Sequence, residues 1–237
     1  MLQSNEIEEI IDRLYQWCDV LNCMLPRELP ICEKGQTYPN KLFHMIFIIK
    51  SNFEYNITYL WNLKSRGLLF EKSNDSTTGY PNIRATLRTS LEAYCKYKLL
   101  WYELYVCRKK KPDEYEDYID RVEHNFCSLR DKVQICKDIL SKNGNGAINY
   151  FLPDESVIVT LSNEAVHAST SSSFYWPDKA KQLLSRLIAT DITFYTEAVC
   201  YIRESFFSPD KQEYYSISNT VISFLQVRDQ LAPDYRL

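Results

Sequence analysis

Apolar residues recur at three- and four-residue steps along most of the chain, the spacing of helices that each bury one face. The clearest stretch holds Ile7, Ile10, Ile11, Leu14, Trp17, Cys18 and Leu21. Asn5 and Glu8 ahead of it have the spacing of a capping box. Pro26, Pro30, Gly35 and Pro39 then mark a loop. A second helix is predicted from about Asn40 to Arg66, very apolar between Phe43 and Trp61, with Gly67 as its C-terminal stop. Glu71–Tyr80 is a polar loop.

Pro81 suits the first turn of a third helix that runs to about Cys107 and ends on the cations Arg108, Lys109, Lys110 and Lys111. From Asp113 a fourth helix repeats Tyr115, Tyr118, Ile119, Val122, Phe126, Leu129, Val133, Cys136 and Leu140, and Asn143-Gly144-Asn145-Gly146 terminates it. Val157–Thr160 has strand-like residues, but a lone strand has no sheet to join, so Val157–Ser173 reads as a helix. Pro177 opens a long helix to about Phe207, and Ser208-Pro209 opens a final one to about Leu231. Helices joined by short loops imply an all-α, antiparallel bundle of six or seven helices forming one domain over residues 1–237.

Composition agrees with this pattern. Only five glycines in 237 residues argue against a turn-rich β-sandwich or a glycine loop for phosphate. With 28 Lys+Arg against 31 Asp+Glu the formal net charge is −3, so any nucleic-acid role needs a local patch rather than bulk attraction. The Arg108–Lys111 run is the one dense basic cluster; it is either a solvated helix end or a phosphate contact.

The eight cysteines (Cys18, Cys23, Cys32, Cys95, Cys107, Cys127, Cys136, Cys200) contain no Cys-x-x-Cys pair and no zinc-finger spacing, so they read as small core residues. No metal or other cofactor is expected. The acidic, amphipathic first segment is unlike a signal peptide, and the longest apolar run, Met45–Ile49, is too short for a bilayer. The expectation is a cytoplasmic protein with no membrane partner. The sequons at Asn56 and Asn74 are then chance matches. Eighteen tyrosines could stack on bases, but they fall mostly on helical stripes and suit a core with wet hydroxyls.

Two polar motifs stand out because they sit on apolar segments. Arg84, Arg88 and Glu92 form a narrow stripe on the third helix, on or beside the stripe of Leu87, Leu91, Cys95 and Leu99. Two readings follow. Arg88 and Glu92 form a partly buried pair that sets helix register, or Glu92 orients the Arg88 guanidinium toward an anionic ligand. The second motif is Ser162-Asn163-Glu164-Ala165-Val166-His167-Ala168-Ser169, in which Asn163 and His167 lie one turn apart and can address one ligand. Ala165, Ala168 and Ser169 leave room for a ligand or a neighbouring helix. Of the other histidines, His44 reads as a core or boundary residue and His124 as part of a solvated face.

The Leu87-Arg88-x-x-Leu91-Glu92 helix together with the later Asn163-x-x-x-His167 motif resembles the HEPN superfamily of prokaryotic helical domains, nearest its abortive-infection-like branches. The resemblance covers roughly Pro81–Phe207, a HEPN-like core at 81–207 on which the N-terminal helices 5–67 would pack. In active members an Arg, usually followed by a polar residue such as Asn, stands a few positions ahead of the His. Here Ser162 occupies the place of that Arg.

The resemblance implies a metal-independent endoribonuclease of the toxin or antiviral-defence type. In it His167 is the acid–base residue, Arg88 steadies charge on phosphorus, and Asn163 positions substrate; Arg84, Glu92 and Ser169 support the site. It also implies a homodimer and a cognate antitoxin or defence-system partner. The alternative is a non-catalytic module that binds a nucleotide, RNA or a partner protein. Both alternatives expect the Arg88–Glu92 and Asn163–His167 helices to share one cleft.

Overall fold

The structure, a computed structural model, describes residues 2–25, 37–71, 80–101, 133–134, 177–206 and 211–233. Among these residues every regular element is helical and none is a strand. The helices are α1 (Ser4–Met24), α2 (Thr37–Ser65), α3 (Pro81–Trp101), α4 (Pro177–Phe206) and α5 (Gln212–Leu231). The predicted helices at 113–140 and 157–173 lie outside the described residues, apart from the helical Val133 and Gln134. No helix of the described residues is long and apolar enough to cross a membrane.

The ends of these elements follow local chemistry. α1 starts two residues earlier than Asn5 and Glu8 suggest: the Gln3 backbone N–H donates to the Glu6 carboxylate at 2.6 Å, a contact of the capping-box type. α2 begins at Thr37, so Pro39, read above as loop, lies in its first turn. The missing N–H costs nothing there, because first-turn N–H groups have no intrahelical acceptor.

At its other end α2 stops as predicted. Gly67 has φ +69° and donates to the Lys64 carbonyl, and the Leu68 N–H reaches back to the Leu63 carbonyl, both at 2.9 Å. This is a Schellman stop with glycine in the left-handed position. Tyr80, with φ +56°, takes the same region before Pro81 at a cost of about 1 kcal/mol. Its side chain is buried, and its hydroxyl donates to the Leu69 carbonyl, which ties the start of α3 to the turn that follows α2.

Buried faces match the predicted periodicity. Ile7, Ile10, Ile11, Leu14, Cys18 and Leu21 all point inward from α1, with Trp17 half-buried beside them. At the centre, Phe53 of α2 stacks on Tyr195 of α4 at 4.1 Å, and Phe224 of α5 meets both rings edge-on or tilted at 5.7 and 5.3 Å. Trp17 closes the group against Phe224 at 5.3 Å. Such rings contribute about 0.5–1.5 kcal/mol per pair beyond their buried area.

Cross-helix pairs give the register. Asp12 meets Lys64 while Asn22 meets Lys50, linking α1 to α2. Asn56 meets Asp191 and Phe43 meets Tyr201, linking α2 to α4. α3 lies over the α2–α4 seam, with Asn52 bound to Ser90 on one side and Tyr94 packed on Phe194 on the other.

Candidate functional site on the third helix

Which helices cover α3 decides how its polar stripe can be used. Leu87, Leu91, Cys95 and Leu99 are buried against α2 and α4. Arg84, on the same side, is itself only 1% exposed. A guanidinium so deep is part of the core and is not open to an incoming ligand. Arg88 and Glu92, one and two turns further on, are half-buried. All three side chains of the stripe are engaged in polar or electrostatic contacts.

Beside Glu92 the surface folds into a cleft of about 220 Å³ between α2 and α3, lined by His44, Met45, Ile48, Thr89, Glu92, Ala93 and Lys96. Its base is apolar, since Met45 and Ala93 are buried, and the alanine leaves the gap that a larger residue would fill. Its rim is polar: a hydroxyl at Thr89, a carboxylate at Glu92, an ammonium at Lys96 and an imidazole at His44. His44 is exposed here, which corrects its reading as a core or boundary residue. The segment around it is apolar on average, but its own place on the helix faces outward. A rim with both charge signs over an apolar base suits a ligand that carries a polar or anionic group on an apolar body.

Asn163, His167, Ser169 and Ser162 lie outside the described residues, as do His124 and Arg108–Lys111. The described residues thus hold one half of the predicted shared site, the Arg88–Glu92 half.

Sequence reasoning missed a set of polar groups in the core. Lys50 forms an ion pair with Glu54 at 2.6 Å and donates to the Asn22 side-chain oxygen at 2.7 Å. The Tyr195 hydroxyl lies 3.5 Å from the same Glu54 carboxylate. Burial raises the Glu54 carboxyl above its ordinary range, and the Lys50 contact partly offsets this. Burial also pushes up the Cys18 thiol, which is hydrogen-bonded to Tyr195, as an inert core thiol requires.

A second chain of polar groups runs from Ser90 through Asn52, which also donates to the Thr86 carbonyl, and from the Thr86 hydroxyl to Asn56 at 2.6 Å. Asn56 then donates to Asp191 at 2.7 Å. The sequon at Asn56 is therefore closed to glycosylation in the folded chain, since this residue is 1% exposed and its amide is bound to Asp191.

A third set joins Lys98 and the Tyr94 hydroxyl to Glu197, with the ammonium 5.4, 5.5 and 5.8 Å from the rings of Tyr94, Tyr97 and Trp101. The signal for the first set was present as Lys50-x-x-x-Glu54 inside a very apolar segment.

Comparison with other proteins adds no identity to this site. No protein-family model matches the chain, and no curated protein or solved structure is significantly similar to it. The functional reading rests on the residues themselves.

Proposed function

We propose that this chain is a HEPN-like protein of the defence or toxin type that cuts RNA as a metal-independent endoribonuclease. It would be one domain, an antiparallel bundle of six or seven helices, cytoplasmic and active as a homodimer. The opposite-running pairs between α1 and α2 and between α2 and α4 support the antiparallel arrangement. The observation that carries the functional reading is the half-buried Arg88–Glu92 stripe on the core-facing side of α3, with Glu92 on the rim of the α2–α3 cleft. A half-buried guanidinium offers a planar fork of donors at a fixed place, which suits a phosphate.

In this reading His167 removes the proton from an RNA 2′-hydroxyl as that oxygen attacks the adjacent phosphorus. The leaving 5′-oxygen takes a proton in turn, so the products are a cyclic phosphate and a free 5′-hydroxyl. Arg88 steadies the charge that builds on the non-bridging oxygens, and Asn163 positions the substrate. The nucleophile is internal to the RNA, so the step needs no metal-bound water.

The second reading, a non-catalytic module for a nucleotide, RNA or a cognate partner protein, has one specific observation in its favour. Ser162 replaces the motif Arg, and Arg84, one of two substitutes for it, is 1% exposed. Arg88 alone is left to supply the cation.

The deciding experiment incubates purified protein with a mixed RNA pool, with and without a chelator. The enzyme reading expects cyclic-phosphate ends in both conditions and a loss of roughly 100- to 10,000-fold in rate with His167→Ala. RNA binding without cutting would establish the second reading instead. Cutting that stops with the chelator would refute the metal-independent mechanism.

A further inference from the structure

Asp191 lies in the middle of α4, where α1, α2 and α3 converge, and is 2% exposed. Among the described residues its carboxyl receives one hydrogen bond, from the Asn56 side-chain amide at 2.7 Å to Oδ2. Oδ1 is buried and has no hydrogen-bond partner among the described residues. The donor is neutral and is itself held in place, because the Thr86 hydroxyl lies 2.6 Å from the Asn56 oxygen and turns the NH2 toward Asp191.

The charged groups of the described residues around this point are engaged elsewhere. On α2 the Lys50 ammonium is bound to Glu54 and Asn22. On α1 the nearby Cys18 thiol is hydrogen-bonded to Tyr195, which stands one turn along α4. α3 presents Thr86, which cannot ionise near neutrality, and its buried cation Arg84 makes no hydrogen bond to the orphan oxygen. α5 contributes the apolar Phe224.

A buried carboxylate with one neutral donor and an orphan oxygen is far more costly than the neutral acid in the same place. Burial raises its ionisation to about 7, with the Asn56 bond pulling the other way. The charge therefore appears in the physiological range, on the residue that ties α4 to α2 and, through Asn56 and Thr86, to α3.

We propose that the Thr86–Asn56–Asp191 relay is a proton-operated latch: it holds the α2–α3–α4 seam closed while Asp191 is protonated and loosens it when Asp191 ionises. The direction follows from linkage. The folded state holds a proton that the unfolded state has already lost, so stability is greatest at low pH and falls as pH rises toward 7. The fall is at most about tenfold in the folding equilibrium per pH unit for one proton. A loosened seam also frees the helix that carries Arg88 and Glu92, so proton release would widen the adjoining cleft.

The full chain tests this by hydrogen exchange of the amides around Asn56 and Asp191 at about pH 6 and pH 8, corrected for intrinsic exchange. The expected result is a loss of protection of about tenfold at the higher pH. Asp191→Asn, which keeps the shape and cannot ionise, should remove that loss. Equal protection of the wild-type protein at both values, or the same loss in Asp191→Asn, would overturn the proposal. If that variant does not fold, the wild-type carboxyl is titrated directly by its carbon chemical shift. A midpoint below about pH 5 would then overturn the proposal, and one near 7 would support it.

Discussion

Replacing Lys50 by Met removes an ammonium while keeping most of the stem, and so isolates the charge in the α2 core. The side chains of Lys50 and Glu54 are 6% and 21% exposed. Removing one member of a buried pair costs about 3–5 kcal/mol, because the other charge is left without compensation. Water reaches the Glu54 edge, which places the expected cost at the lower end, about 3 kcal/mol. At roughly 2–4 °C per kcal/mol for a chain of this size, Tm should fall by about 6–12 °C.

Adding Glu54→Gln removes the stranded charge and should recover about 1–2 kcal/mol, a coupling in the range expected for contacting residues. The pH dependence gives an independent check. The Glu54 carboxyl titrates above its ordinary value in the fold, and losing Lys50 raises it further. A group so raised contributes stability below its unfolded pKa and loses it as pH rises through the folded one. The deficit of Lys50→Met should therefore be small near pH 4.5 and full near neutrality. Urea unfolding followed by circular dichroism measures all of this. A deficit under 1 kcal/mol at neutral pH, or one equal at both pH values, would refute the reasoning.

Arg88→Ala should lower the rate of RNA cutting by roughly 100- to 1,000-fold, the usual loss for one charge-stabilising donor. Arg88→Lys should recover little of it, since a point charge does not reproduce the planar fork; a Lys variant with near wild-type turnover would remove Arg88 from the mechanism. Gly67→Ala meets no atom within 4 Å but forces alanine to φ +69°. It should cost about 1–2 kcal/mol in denaturant unfolding, all from the backbone, and leave RNA binding unchanged.

The helices were legible because their signal is local. The three- and four-residue spacing of Ile7 through Leu21, and the glycine after Arg66, act within a few residues of where they stand, so they needed no knowledge of neighbours. The same locality exposed Arg84, Arg88 and Glu92 as one stripe, although it could not rank them by depth. That ranking came from the assembled core, which buries Arg84 and leaves Arg88 and Glu92 half-open.

His44 shows the opposite error, an exposed residue hidden by the average of an apolar segment. The buried polar relay was beyond sequence reasoning for a stronger reason. Asn56 and Asp191 are separated by 135 residues and look ordinary alone. Only packing α2 against α4 brings one to donate to the other, because desolvation and hydrogen bonding are properties of the assembled core.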